Sequence, residues 1–306
     1  MITLGVIGLS EGNGHPYSFS AIINGYDKKE FDKLDWPIIL DYLERQPKNS
    51  FGIENTKITH AWTQDAIITK KLCSACNIPN AVEHVTDMVG KVDAVIIARD
   101  DWQSHFSLAM PFLSFGTPVF IDKPLSLDAE EISEFRPYLT NGMLMSTSCF
   151  RYSKELRDAQ KGLSALGTIK LINATVLNDV EKYGVHMLDA LNGIGILKPL
   201  MICRLNLPHE AYLIALENNG SLVLNCLGKV AKTFSFGFFC KNGSVHIDIS
   251  DNFSAFKYTL TQFVEMVKKA RPPFEAEQVI NTMKLIHVAK NLNRGQSVDI
   301  NDVEYF

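Results

Sequence analysis

The sequence predicts an α/β protein in which a doubly wound parallel sheet is followed by a second domain with a mostly antiparallel, open sheet. In the first half, short apolar and β-branched runs alternate with helical segments, as in a parallel sheet covered by helices on both faces. After about residue 150, alternating apolar residues separated by Asn-Gly turn signals replace this pattern. We therefore expect domains at 1–149 and 150–306.

The first-half strands are continuous apolar runs, which is typical of strands buried on both faces. The predicted strands are 2–8, 57–63, 92–98, 118–121 and 142–149, with helices at 17–24, 65–76, 105–115 and 127–136. Residues 26–56 are an insertion with a short amphipathic helix after Trp36-Pro37. We expect the insertion to be a surface elaboration, or to cover a ligand at the strand ends.

The second half has the alternation of a half-exposed sheet. The predicted strands are 169–177, 212–216, 221–227, 233–239 and 244–249, with helices at 184–192, 257–270 and 276–293. Turn signals at 218–220 and 241–243 separate neighbouring strands.

Composition excludes several function classes. The chain is 46% hydrophobic and 21% charged, with a net charge of −4, which argues against a nucleic-acid or anionic-membrane surface. The N-terminus lacks a basic segment and is predicted to be a strand, so we expect a cytoplasmic protein. Of six cysteines only Cys73 and Cys76 are close together, whereas a structural zinc site needs about four ligands. We therefore expect reduced thiols and no metal.

A glycine-bearing loop follows the first strand, where parallel sheets bind ligands. The residues that form it are Gly8, Ser10, Gly12, Asn13, Gly14 and His15. Glycines let the backbone approach a phosphate, and the next helix offers its positive end to the same anion. The spacing is not G-x-G-x-x-G, so a purely structural turn is an open alternative.

The second strand ends in Trp62-Thr63-Gln64-Asp65. In a dinucleotide site Trp62 would lie against adenine, and Thr63 or Gln64 would bond the ribose. Asp65 is displaced from the usual position of the ribose-binding acid and is more typical of a helix cap. No arginine follows this strand to receive a 2′-phosphate, so NAD and NADP both stay open, with NAD slightly favoured.

Three segments of the chain each contain a recognisable motif, and the motifs follow one another in a characteristic order. Residues 95–101 with His105 correspond to a strand, a Thr-Pro-Asn loop in which Asp100 and Asp101 here replace Pro-Asn, and a histidine-bearing helix. Residues 116–124 correspond to a strand ending in Glu-Lys-Pro, here Asp122-Lys123-Pro124, and residues 183–189 to a histidine helix. Together they resemble the Gfo/Idh/MocA family of sugar and cyclitol dehydrogenases. The resemblance covers nearly the whole chain.

The resemblance implies a Rossmann domain followed by an α/β domain often used for homodimer or homotetramer contacts. It also implies an NAD(P)-dependent oxidoreductase that moves a hydride between a nicotinamide and a hydroxyl or ketone of a sugar, sugar nucleotide or cyclitol. The expected cofactor-binding residues are Gly8, Ser10, Gly12, Asn13, Gly14, His15, Trp62, Thr63, Arg99, Asp100, Asp101, His105, Asp122, Lys123 and Pro124.

The expected catalytic residues begin with Lys123, which would stabilise a developing alkoxide where cofactor and substrate meet. His186 is the candidate general acid/base, because a histidine titrates near neutral pH. Asp189 would either orient the imidazole or pair at the surface. Many family members have an aspartate where this chain has Lys182. Lys182 or Tyr183 is therefore an alternative acid/base.

Two other functions stay open. The second hypothesis is a nicotinamide or sugar sensor that kept the fold and lost turnover. Lys182 and the irregular glycine loop are the observations that favour it. The third alternative is a non-redox enzyme that uses bound NAD internally.

Overall fold

The computed structural model describes residues 1–304, which form two compact units. The first unit comprises Met1–Ser126, Glu131–Thr147 and Phe256–Ala276, and the second comprises Leu127–Glu130, Ser148–Ala255 and residues 277–304. The change of unit at Ser148 lies close to the expected boundary. The return of 256–276 to the first unit was not expected.

Aromatic packing explains why residues 256–276 belong to the first unit. The ring of Phe256 lies 5.1 Å from that of Phe19, and the ring of Phe263 lies 5.7 Å from that of Phe120. Phe19, Phe120 and Phe263 are almost fully buried. Residues 256–276 therefore complete the core of the first unit, in keeping with the large apolar area that buried aromatic rings contribute.

The first unit contains a six-stranded, wholly parallel sheet. The parallel arrangement and five of the strands were predicted, whereas the two-residue strand Asn80–Ala81 was not. Its strands are β1 (Ile2–Ile7), β2 (Thr56–Trp62), β3 (Asn80–Ala81), β4 (Ala94–Ile97), β5 (Val119–Ile121) and β6 (Leu144–Ser146). They are arranged in the order β3-β2-β1-β4-β5-β6. The carboxyl ends of β2, β1, β4 and β5 are thus neighbours, which is where a doubly wound sheet binds its ligand.

The helices agree with the predicted periodicity, with three additions (α2, α7 and the extension of α9 to Asn252). They are α1 (His15–Asn24), α2 (Lys28–Phe31), α3 (Pro37–Glu44), α4 (Ala66–Ala75), α5 (His105–Phe115), α6 (Ala129–Thr140), α7 (Lys154–Leu163), α8 (Val185–Gly193), α9 (Asn252–Lys269) and α10 (Ala276–Asn291). The Asp65 carboxylate caps α4 by accepting hydrogen bonds from Ile67 N and Ile68 N at 2.7 and 3.1 Å. The capping role predicted for Asp65 is confirmed.

The second unit contains a seven-stranded sheet in the order β12-β11-β7-β10-β9-β8-β13. Its strands are β7 (Ile169–Val176), β8 (Pro199–Arg204), β9 (Glu210–Leu216), β10 (Ser221–Cys226), β11 (Phe234–Cys240), β12 (Gly243–Asp248) and β13 (Ser297–Asp299). Only the β10–β7 pair is parallel, so the prediction of a mostly antiparallel sheet is confirmed. Strands β8 and β13 were not predicted.

The insertion packs on the start of α1. Tyr17 on α1 faces Phe31 and Trp36 of the insertion, with ring centroids 5.9 and 6.1 Å apart. Trp36 and Ile39 also press against the backbone of Gly14. The insertion therefore supports the glycine loop within the first unit.

Within residues 1–304, every helix is too short or too polar to span a bilayer. The six cysteines form no disulfide in this part of the chain. Cys76 is fully buried against Tyr17, and burial raises the pKa of its thiol. It therefore behaves as a small apolar core residue.

Candidate functional site

The loop after β1 needs glycine at two positions for different reasons. Gly12 has a φ of +73°, which disfavours other residues. At Gly14 a Cβ atom would collide with Ile39 Cδ1 and lie 2.8 Å from Trp36 Cε3. The first glycine shapes the turn, and the second admits the insertion to the start of α1.

Asn13 is the residue of this loop that indicates a ligand. Its Oδ1 accepts a hydrogen bond from His15 N at 2.9 Å, which holds the amide beside the N-terminus of α1. Its Nδ2 is buried, in a residue that is 5% exposed, and this nitrogen has no hydrogen-bond partner among residues 1–304. A buried donor without an acceptor is costly, so an anion at the helix N-terminus would satisfy it. The loop thus fits a phosphate group.

A buried polar cluster joins the ends of β1, β4 and β5. Ser10 Oγ donates to Asp100 Oδ1 at 2.6 Å, and Asp100 N donates back to Ser10 Oγ at 3.1 Å. Lys123 Nζ lies 4.0 Å from Asp100 Oδ2, with side-chain exposures of 4% and 8%. The Lys123–Pro124 peptide bond is cis. Asp100, in the loop that follows β4, therefore gives the ammonium of Lys123 a carboxylate neighbour.

Asp122 faces the glycine loop rather than solvent. Its Oδ2 lies 2.5 Å from His15 Nδ1 at the start of α1. The His15 ring is held between Phe19 and Phe256, at centroid distances of 5.1 and 5.0 Å. This pair fixes the imidazole at the N-terminal end of α1, beside the loop that fits a phosphate.

Arg99 extends from the end of β4 towards the end of β2. Its Nε and Nη2 donate to the two oxygens of Asp101 at 2.8 and 2.7 Å, and Nη1 donates to Gln64 Oε1 at 3.0 Å. Although burial alone would raise it, these bonds and the guanidinium charge hold the pKa of Asp101 below its usual value. Arg99 was among the expected cofactor-binding residues, but its contact with Gln64 at the end of β2 was not expected.

Gln64 links the same two strand ends to the loop. Its side chain makes two hydrogen bonds to the backbone of Leu9. Gln64 Nε2 donates to Leu9 O at 2.6 Å, and Gln64 Oε1 accepts from Leu9 N at 2.9 Å. The amide and the Arg99 guanidinium thus form one connected group at the end of β2. Of the carboxylates nearby, Asp65 caps α4 and Asp101 is paired with Arg99.

Two expected cofactor-binding residues have internal partners. Thr63 is buried and its hydroxyl bonds Thr69 Oγ1 at 2.8 Å and Asp65 O at 2.7 Å. His105 is fully buried, with its ring nitrogens 3.0 Å from Leu125 O and 3.2 Å from Arg99 O. Burial lowers the pKa of His105, although both carbonyls favour its charged form. His105 therefore positions the backbone at Arg99.

Trp62, by contrast, is half-buried. Its Nε1 donates to Glu83 O at 3.2 Å, which orients the indole beside the end of β2. Its expected contact with adenine stays a prediction.

In the second unit, His186 on α8 lies among aromatic rings. Its ring centroid is 4.9 Å from Phe150, 5.6 Å from Tyr183 and 6.2 Å from Phe234. Tyr183 stacks on Phe234 at 5.9 Å with an interplanar angle of 13°. Tyr183 and Lys182 lie in the π-helical segment Val180–Gly184, which begins where the Asp179 carboxylate accepts from Lys182 N at 2.7 Å. Such segments often occur at functional sites.

Ser148 and Asp189 fix the surroundings of this histidine. Ser148 Oγ lies 2.6 Å from His186 Nδ1. Asp189 Oδ2 accepts from Ser148 N at 2.8 Å, and Oδ1 accepts from Arg151 Nε and Nη2 at 3.2 and 2.6 Å. The surface pairing considered for Asp189 is therefore wrong, because the carboxylate is buried against Arg151; its role in orienting the imidazole stays a prediction. The reason is Arg151, a buried guanidinium that requires a carboxylate partner.

The structure thus brings together Ser10, His15, Asp100, Asp122 and Lys123 at one edge of the parallel sheet. Sequence reasoning missed Ser148 and Phe234 beside His186. The signal for Ser148 was its position after the last strand of the sheet, two residues before the junction Phe150-Arg151.

Comparison with known proteins finds a family model that matches part of the chain and solved structures that share its fold. Residues 40–139 match the model of the Gfo/Idh/MocA oxidoreductases, an oxidoreductase family with an NAD-binding Rossmann fold. The match begins after β1, so it does not include the glycine loop. A comparison with curated protein sequences finds no match.

Solved structures share the fold over almost the whole chain. Scyllo-inositol dehydrogenase from Lactobacillus casei, solved with NAD(H) and scyllo-inositol, is 16% identical, with 99% of this chain and 100% of that chain covered and a TM-score of 0.74. Myo-inositol 2-dehydrogenase from Lactobacillus plantarum is 15% identical (97% and 99% covered, TM-score 0.76). Myo-inositol dehydrogenase from Corynebacterium glutamicum is 11% identical (99% and 100% covered, TM-score 0.77). The predicted fold class is confirmed, and the family resemblance is confirmed over residues 40–139.

Proposed function

We propose that this chain is an oxidoreductase of the Gfo/Idh/MocA family, whose model matches residues 40–139, and that it transfers a hydride between a nicotinamide dinucleotide and a ring hydroxyl or ketone. The observation that carries the proposal is the buried Lys123 at the carboxyl end of β5, beside Asp100 and a glycine loop that fits a phosphate. The substrate class we propose is a cyclitol or sugar, in keeping with the fold's inositol dehydrogenases.

The protein's part in the chemistry is orientation, charge stabilisation and proton exchange. A bound nicotinamide supplies the atom that accepts or donates the hydride. Asn13 Nδ2 donates to a phosphate oxygen, and the N-terminus of α1 adds its positive end. Lys123 stabilises negative charge on the reacting oxygen of the substrate. His186 exchanges the proton of the hydroxyl group.

Asn13→Asp tests the dinucleotide site. Aspartate is nearly isosteric, so it keeps the acceptor for His15 N, but it replaces the unpartnered donor by a negative charge. We expect NADH and NADPH to bind about 10- to 100-fold more weakly, because a hydrogen bond to a charged group contributes about 1.5–3 kcal/mol. Tryptophan emission and melting temperature measure the affinity; Trp36, against Gly14, is a nearby reporter.

The control for Asn13→Asp is Asn301→Asp, which adds the same charge at an exposed position of the second unit. It should bind like the unaltered protein. If neither dinucleotide changes emission or melting temperature of the unaltered protein at millimolar concentration, the proposed function fails.

Turnover is a separate question from binding. A screen of inositols, other polyols, sugar acids and nucleotide sugars, followed by absorbance of the reduced nicotinamide, measures it. Binding without turnover across the screen would favour a nicotinamide-binding sensor, for which Lys182 in place of the family's aspartate is the supporting observation.

We further propose that NADP(H) binds at least as tightly as NAD(H), contrary to the slight preference from sequence. An acid at the end of β2 normally bonds the ribose hydroxyls and repels a 2′-phosphate. Here that end carries the Gln64 amide and the Arg99 guanidinium. Among residues 1–304, two N–H groups of Arg99 are left after its bonds to Asp101 and Gln64, and guanidinium groups suit phosphate oxygens.

Arg99→Gln should therefore weaken NADPH binding about tenfold more than NADH binding, the loss of about one charge-assisted hydrogen bond. Titration calorimetry with both dinucleotides, and with 2′,5′-ADP against 5′-ADP, measures the difference. The matched control is Arg45→Gln, an exposed arginine on the insertion. An equal loss for both dinucleotides would contradict the role of Arg99 and leave the proposed function intact.

Oligomeric state and cytoplasmic location stay predictions. For a homodimer or homotetramer we propose the half-exposed face of the second sheet, where Phe239 is 38% exposed next to His246.

A further inference from the structure

We propose that Ser148 is a positioning residue for His186: it holds Nδ1 of the imidazole, so that Nε2 is the nitrogen that exchanges a proton with the substrate. The inference rests on the proposed function. It assigns to a serine hydroxyl the orienting role that a carboxylate has beside many catalytic histidines.

The contact that carries the inference is short and buried. Ser148 Oγ lies 2.6 Å from His186 Nδ1, and both residues are buried. Because the two ring nitrogens of histidine are distinct, a partner on one decides which nitrogen is left for chemistry. The hydroxyl also accepts a hydrogen bond from Phe150 N at 3.1 Å, which limits its rotation.

The serine is itself held in place by a buried ion pair. Asp189 accepts from Ser148 N and from Arg151, and Arg151 Nη1 donates to Gln278 Oε1 at 2.8 Å. Asp189 and His186 are three residues apart on α8, so they lie on neighbouring positions of one helix face. One helix therefore carries the imidazole and the carboxylate that fixes its partner.

Aromatic packing restricts the imidazole in the remaining directions. Phe150 and Tyr183 both contact the His186 ring, at 4.9 and 5.6 Å between centroids. These aromatic rings restrict the orientation of the imidazole plane, but their faces do not accept a hydrogen bond that an imidazole nitrogen makes within that plane. The hydroxyl of Ser148 is a polar group that distinguishes Nδ1 from Nε2, because it contacts Nδ1 directly.

The first arm of the test observes the imidazole without any ligand. In ¹⁵N-labelled protein, Ser148→Ala should shift the Nδ1 resonance of His186 and change its tautomer ratio, since the hydroxyl is lost. The protein has eight histidines, so His186→Asn identifies the signal. The control is Ser153→Ala, because the Ser153 hydroxyl is fully buried five residues away and has no hydrogen-bond partner in the described part of the chain. It should leave the signal unchanged.

The second arm measures turnover with the substrate identified by the screen. Ser148→Ala should lower kcat by about 10- to 100-fold, within the range that a general acid/base contributes, with KM changed less than threefold. Ser153→Ala should have the kcat of the unaltered protein. A circular dichroism spectrum and melting curve establish that each variant is folded.

The outcomes separate this inference from the proposed function. An unchanged Nδ1 resonance in Ser148→Ala overturns the contact. If His186→Asn abolishes turnover while Ser148→Ala keeps kcat, the positioning role is wrong and the proposed function survives. If His186→Asn keeps turnover, the role proposed for His186 fails, and the positioning role fails with it.

Discussion

Lys123→Met is expected to lower kcat/KM by about 100- to 10,000-fold, the largest effect of any single change on turnover. Removal of one group that stabilises a developing oxyanion typically costs about 10²–10³ in kcat, and loss of a proton-transfer group adds to this. Methionine keeps most of the length of the buried lysine, so little cavity forms. The measurement is initial rate against substrate concentration at saturating dinucleotide.

Two features make the Lys123 experiment specific. Dinucleotide affinity should change little, because Asn13 and the start of α1 provide the proposed phosphate contact. The control Lys91→Met removes an exposed lysine from the same unit and should have normal turnover. Unchanged turnover in Lys123→Met would remove this residue from the mechanism.

The largest expected effect on stability comes from the ion pair of Arg151 and Asp189. Both side chains are about 95% buried, and two guanidinium nitrogens donate to Asp189 Oδ1. Asp189→Ala leaves a buried guanidinium without this carboxylate and Ser148 N without its acceptor, for which we expect a loss of about 3–5 kcal/mol in the free energy of unfolding. Denaturant titration, followed by far-ultraviolet circular dichroism, measures it.

A double-mutant cycle tests the cause of that loss. If the uncompensated charge dominates, Arg151→Met together with Asp189→Ala should cost less than the sum of the two single changes. The exposed pair of Lys161 and Asp158 is the control, and Asp158→Ala should have no measurable effect. Additive losses would mean that the two side chains contribute independently.

Local sequence patterns predicted most of the fold. The strand predicted at 92–98 and the helix predicted at 105–115 each depend on residues close together in the chain, and both agree with the structure within two residues. Strand β8 was missed because its burial is irregular: Leu200 and Met201 are both exposed, so the expected alternation is absent. Strand β13 has three residues, too few to establish a period.

The candidate site was predicted less completely, because its side chains meet through the order of strands. Lys123 and the glycine loop were found from motifs, each within one segment. Arg99 and Gln64 are 35 residues apart, and Ser148 and His186 are 38 apart. No local pattern encodes such pairs. The contact of Gln64 with Arg99 depends on β2 and β4 flanking β1, which only the sheet order reveals.

The return of residues 256–276 to the first unit has a consequence for synthesis. Domains generally fold as they emerge from the ribosome, with the N-terminal domain first. Here the rings of Phe19 and Phe120 pack against Phe256 and Phe263, and these two residues are synthesised only after residues 148–255. The nascent first unit therefore exposes part of its apolar interior until most of the chain has been translated, and its core closes late.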